Sequence, residues 1–197
     1  EENISGTISG EMRTNAILSV IIAGIFIMIY IWVRFRDIKF GAGAIIALLH
    51  DVLVVLAVYS IARIPVGTTF IACMLTIVGY SINATIVVYD RIRENLQNQP
   101  EDNPAPLADI INLSVNQTLG RTIMTSATTL IAALSLTILG GGAIHDFALT
   151  MSLGVFIGTF SSVFVSNPIL LLLGDTRQYM VARKKVEYER PGEHGVV

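Results

Sequence analysis

The sequence predicts an all-α integral membrane protein with five transmembrane helices and a short cytoplasmic interfacial helix. Three observations carry that prediction. The 197 residues are 53% hydrophobic and only 14% charged, with a mean hydropathy of +0.66, which is more apolar surface than a water-soluble domain of this size buries. Apolar runs of spanning length recur along the chain, each needing about 18 or more residues at roughly 1.5 Å rise to cross the hydrocarbon core. Lysine and arginine also fall almost entirely on one side of the predicted spans, as orientation in a membrane requires.

Four runs pass the length criterion outright: 16–33, 64–89, 122–144 and 147–174. A fifth, 41–62, passes once His50 and Asp51 are admitted inside it, and apolar flanks on both sides justify doing so. Residues 1–15 are expected to be an extracytoplasmic linker and 175–197 a solvated cytoplasmic tail. The chain opens on Glu1, without Met or the basic start of a signal peptide, so its amino terminus is expected to be a truncation. Within the connection 91–120, prolines and acids end one helix. Leu107, Ile110, Ile111, Val115 and Leu119 then recur near helical spacing and predict the interfacial helix.

Five passes place the termini on opposite sides. Arg34, Arg36, Lys39, Arg91, Arg93, Arg121, Arg177, Arg183, Lys184, Lys185 and Arg190 share one side, leaving Arg13 and Arg63 for the other. The tail is therefore expected in the cytoplasm and the visible amino terminus outside. A net charge of −2 gives no basic field for nucleic acid. The single cysteine, Cys73, excludes an intramolecular disulfide, and His50, His145 and His194 show no metal-ligand spacing, so neither a metal nor a cofactor is expected.

Polar side chains at membrane depth must face other helices, a partner or water. Four groups stand out. His50 and Asp51 lie near the middle of the second span, where a carboxylate costs about 2.5 to 3.5 kcal/mol on insertion scales; they read either as a proton-carrying site or as a structural pair. In the third span Ser81 and Thr85 share one helical face and Asn83 lies on another; hydroxyls of this kind are ordinary interhelical glue, while Asn83 is the costlier group. Arg121 opens the fourth span beside Thr118, Thr122, Thr125 and Thr129. Spacings of four, three and four predict a hydroxyl stripe, which suits a water or proton path as well as a plain interfacial anchor. Gly154, Gly158, Ser162 and Ser166, each four apart in the last span, form a small-residue face for close helix packing, and Pro168 predicts a kink at its end.

The blocks GYSINATIVVYDRIREN, ALLHDV, NQTLGRTIMTS and GTFSSVFVSNP closely resemble the SecF family, fall in that family's order, and extend the likeness from about Gly10 to Leu173. The resemblance implies the transmembrane half of a SecD/SecF accessory complex similar to RND-superfamily transporters, in the bacterial inner membrane. Its implied partners are a SecD-like subunit, the Sec translocon, a translocating preprotein and the lipid bilayer, and its implied work is ion-gradient-driven assistance to protein export. It also implies that a further span and an extracytoplasmic domain precede Glu1. Two coupling positions are implied by it. The Arg corresponds to Arg121, whereas the Asp position holds Ala84, which binds no proton. The resemblance leaves Arg121, Asp51, His50 and Asn83 as ion-coupling candidates, together with a carboxylate supplied by the partner.

Other functions fit less well. A stand-alone secondary transporter needs an internal repeat, and none is visible. An intramembrane aspartyl protease would draw on Asp90 and Asp175, yet both sit at span ends beside basic residues, so no enzymatic role is expected. A structural subunit without its own coupling remains open because of Ala84.

Overall fold

The computed structural model describes residues 6–35, 37–64, 66, 68–100 and 103–174. Among the described residues every regular element is a helix: α1 (Gly6–Phe35), α2 (Ile38–Ala62), α3 (Thr68–Gln97), α4 (Leu107–Leu139), α5 (Ala143–Phe164) and α6 (Ser166–Leu172). The stretches Ile38–Ala62, Thr69–Gln97, Leu107–Leu139 and Ile144–Leu172 are long and apolar enough to cross a membrane, and α1 contributes the apolar segment Ile21–Phe35. Short connections make consecutive helices antiparallel neighbours.

Local chemistry sets the ends. Asp37, extended at φ −135°, caps α2 by accepting a hydrogen bond from the Lys39 backbone N–H at 2.9 Å. Arg63 closes α2 in the left-handed region at φ 54°. After α4 the run Gly140, Gly141, Gly142 permits the sharp reversal, with Gly142 at φ 51°. The break between α5 and α6 falls at Val165, one turn before Pro168. The proline ring would clash with the carbonyl of residue 164 and supplies no N–H to it.

Several boundaries depart from the sequence expectation. The amphipathic segment from Leu107 is not a separate interfacial helix; it is the first third of α4, which runs unbroken to Leu139. Arg121 marks an interface without interrupting backbone hydrogen bonding, no proline lies between Leu107 and Leu139, and the lone Gly120 is tolerated within the helix. The same helix stops before residue 144 because the glycine run intervenes. Since α3 also continues past residue 89 to Gln97, the connection expected over 91–120 contracts to Asn98–Pro106. The tail 175–197 lies outside the described residues.

Helix α5 is the hub, packed against α2, α3, α4 and α6, while α1 lies on α2 and touches α3. Side chains form two apolar clusters. One joins Ile31, Phe35, Phe40, Tyr89, Ile92, Ile110 and Leu170 at the end where α1 finishes and α4 begins. The other gathers Val55, Tyr59, Phe70, Cys73, Met74 and Ile77 near the opposite end. Leu53, Ile61, Ile131, Ile138, Leu139, Phe156 and Phe164 are exposed and face where lipid would lie.

Close approach between α3 and α5 depends on glycine. A Cβ at Gly154 would lie 2.3 Å from Ile77, and one at Gly158 would lie 3.1 Å from the Ser81 Cβ, whereas Gly120 has open space around it. Gly154→Ala is therefore expected to destabilise the detergent-solubilised protein by about 1–3 kcal/mol, with a smaller loss for Gly158→Ala. Gly120→Ala should be neutral or better, and thermal unfolding of the three variants measures the order.

Candidate functional site

Between the two apolar clusters lies a polar layer. Small residues on α2, Gly43, Ala44 and Ala47, are buried and bring that helix close to its neighbours, and the same face carries Asp51, only 1% exposed. The Ser81 hydroxyl on α3, equally buried, donates to Asp51 Oδ2 at 2.5 Å. His50 Nδ1 lies 3.0 Å from Asp51 Oδ1, so both carboxylate oxygens are engaged. The His50 side chain is 35% exposed while that of Asp51 is 2%, which sets an imidazole between a buried acid and the outside of the helix bundle.

A second polar contact ties three helices. Tyr80 Oη donates to Ser126 Oγ at 3.1 Å, and Thr159 Oγ1 donates to the same oxygen at 2.7 Å. Nearer the far end, Tyr59 Oη and Thr150 Oγ1 are hydrogen-bonded, and Cys73 Sγ points at the Phe147 carbonyl at 3.5 Å. Sequence reasoning singled out none of Tyr80, Ser126, Thr159, Tyr59 or Thr150. The signal available for Ser126 was its place in the strict four-residue row Ser114, Thr118, Thr122, Ser126, all buried.

That row redraws the predicted threonine stripe. Thr118 and Thr122 are buried, but Thr125 is exposed, and Thr129 is half-buried with its hydroxyl returned to the Thr125 carbonyl at 2.9 Å. Packing against α3 and α5 selects the i, i+4 row, and the step of three from Thr122 to Thr125 turns the chain outward. On α3, Thr85 is buried beside Ser81's face, Asn83 is exposed and Ala84 is half-buried. Gly154, Gly158, Ser162 and Ser166 are all buried.

The third constellation gathers at the end where the basic residues concentrate. Arg34 Nη2 lies 2.7 Å from Asp90 Oδ2, and Arg91 Nη1 lies 2.6 Å from Glu94 Oε2. Arg91 Nε also donates to Gln117 at 2.7 Å, and Asn95 donates to Ser114 and Gln117 at 2.8 and 2.9 Å, joining α3 to α4. Arg121 is exposed and lines a groove of about 620 Å³ between α1, α3 and α4. Arg121 and Asp51 are thus not brought together. Asp51 is buried against Ser81 of α3, whereas Arg121 is exposed in the groove. Asp90 is engaged by Arg34, and Asp175 lies outside the described residues.

Comparison with known proteins agrees with this architecture. The family model described as "Protein export membrane protein SecD/SecF, C-terminal" matches residues 1–176. Protein translocase subunit SecF of Cereibacter sphaeroides is 47% identical over 176 residues, covering 89% of this chain and 53% of the relative. Protein translocase subunit SecDF of Thermus thermophilus is 43% identical, covering 93% of this chain and 24% of the relative. A crystal structure of SecDF, a translocon-associated membrane protein from Thermus thermophilus, superposes with a TM-score of 0.78 at 43% identity, covering 86% of this chain and 23% of that one. The chain spans about half the length of the SecF relatives first matched, 53% and 51% of them.

If the Ser81–Asp51 contact holds α2 to α3, then Ser81→Ala and Asp51→Asn will not act independently. A double-mutant cycle on thermal unfolding should return a coupling of about 1 kcal/mol. Additive losses would show that the two groups do not support one another.

Proposed function

The chain belongs to the SecD/SecF protein-export membrane family, and on that premise we propose that it is the transmembrane part of a SecF-type subunit assisting Sec-dependent protein translocation. Its partners in this reading are a SecD-like subunit, the Sec translocon and the translocating preprotein. Its place is the bacterial inner membrane, with the visible amino terminus outside and the 175–197 tail in the cytoplasm. The observation that carries the reading is the combination of four helices of spanning length and a shorter apolar segment with 47% identity to a named translocase subunit over 89% of the chain.

The ion-coupling role is assigned to two separate places. Arg121 is exposed toward the groove, where a carboxylate from the SecD-like partner has access to it. Asn83 is exposed and Ala84 half-buried on α3, and Ala84 supplies no charge, so the acid of this pair is proposed to come from the partner. Asp51 with His50 and Ser81 forms the internal proton-holding site, buried in the layer between the apolar clusters. The four-residue row through Gly154, Gly158, Ser162 and Ser166 is assigned to packing. A structural subunit with no coupling of its own is the second reading, and Ala84 is the observation that favours it.

Export by inverted vesicles containing the complete subunit and its partner separates the two. Arg121→Ala is expected to abolish the stimulation of export by the ion gradient while the complex still assembles. Unchanged export and unchanged gradient dependence would leave only the structural reading. For orientation, a cysteine placed at Asn103 should react with a membrane-impermeant thiol reagent from the cytoplasmic side only, and one at Gly141 from the opposite side only.

A further inference from the structure

At the basic end of the bundle, Arg34 from α1, Arg91 and Arg93 from α3 and Arg121 from α4 converge on the 620 Å³ groove. Asp90 and Glu94 are the anionic residues in its lining, beside four guanidinium groups, and Arg93 donates to the Arg34 carbonyl at 3.0 Å. Both acids are already engaged, Asp90 by Arg34 and Glu94 by Arg91. Among the described residues neither carboxylate pairs with Arg121. The exposed Arg121 guanidinium therefore offers the groove a place for a further anion.

Its surroundings specify an amphiphilic one. Helices α1 and α4 both flank α3, and Val87 is the apolar residue in the groove lining. One turn from Arg34 toward the hydrocarbon stands Tyr30, 54% exposed, and one turn from Arg121 stands Met124, 68% exposed. Guanidinium groups bind phosphate oxygens through paired N–H donors, and the leaflet on the side where lysine and arginine concentrate is the one rich in anionic lipid. We propose that this groove binds the phosphate headgroup of an anionic phospholipid, with the acyl chains lying along Tyr30 and Met124. The phosphodiester is the recognised chemistry, and the apolar lane assigns it to a lipid rather than to free phosphate. The site goes beyond the export reading and shares one residue with it: a headgroup phosphate and a partner's carboxylate are alternative anions for Arg121.

The test uses the complete subunit with its partner, reconstituted in phosphatidylcholine nanodiscs containing a minority of phosphatidylglycerol. Lipid retained through detergent extraction is counted by native mass spectrometry, a readout independent of export. Phosphatidylglycerol should be retained preferentially. Arg121→Gln should weaken its retention about fivefold, the effect of one basic residue at the membrane surface. Asp90→Asn, which removes an acid and releases Arg34, should strengthen retention by a similar factor. Should Arg121→Gln fail to fold, as judged by its melting curve, Arg121→Lys and Asp90→Asn supply the same comparison. Equal retention of both lipids, or retention unmoved by the variants, overturns the proposal. So does displacement by inorganic phosphate as effective as by phosphatidylglycerol, which identifies a free-anion site, or efficient cross-linking of a Gln117→Cys variant to the partner, which identifies a protein interface.

Discussion

Hydrocarbon offers no hydrogen-bond partners, and that single constraint orders the interior of this bundle. Among the described residues most polar side chains at depth are paired across helices or returned to their own backbone, as Ser152 and Thr137 are to the carbonyls four residues earlier; Asn167 Oδ1 is a buried exception. The most demanding group is Asp51, and its two oxygens are taken by Ser81 and His50. Satisfying them requires α2 to approach α3 closely, which in turn requires the α3–α5 contact to be tight enough to present Ser81. Gly158 supplies the room, since a Cβ there would crowd the Ser81 side chain. Glycine on one helix thus positions a hydroxyl on a second for a carboxylate on a third.

The layering follows from the same logic. Along α2 the order is Phe40 and Ala44, then Asp51, then Val55 and Tyr59; along α3 it runs in reverse, from Phe70 and Ile77 through Ser81 and Thr85 to Val88 and Ile92. Antiparallel helices therefore align apolar with apolar at both ends and polar with polar in the middle. The buried acid is sealed above and below by packed side chains, and the partly exposed His50 stands between it and the outside of the bundle.

How much of this was legible in the sequence depended on how rare each signal is. An aspartate inside an apolar run is rare, and Asp51 was visible at once; its hydroxyl partner Ser81 was named, but nothing in a linear pattern joins positions thirty apart. Hydroxyls are common in membrane helices, so Ser126 with Tyr80 and Thr159 escaped notice. The stripe on α4 was misdrawn past Thr122 because steps of three and four both remain near one helical face, and only the neighbouring helices decide between them. A cation at an interface was read as the start of a helix, whereas Arg121 lies well inside α4; charge changes what a helix faces without ending it. Pro168 was read correctly as a kink, with its effect displaced one turn upstream to Val165.

The kink has a mechanical consequence. Where α5 gives way to α6, Tyr89 of α3 donates its hydroxyl to the Ser166 carbonyl at 3.0 Å, through a slot that exists because Gly43 of α2 lacks a Cβ that would lie 2.6 Å from that oxygen. The joint in the last helix is thereby bolted to α3 and α2 at the point where it would otherwise bend most freely. One phenol thus ties the joint of the last helix to two others, so a larger side chain at Gly43 would be felt at Ser166, on a helix it does not belong to.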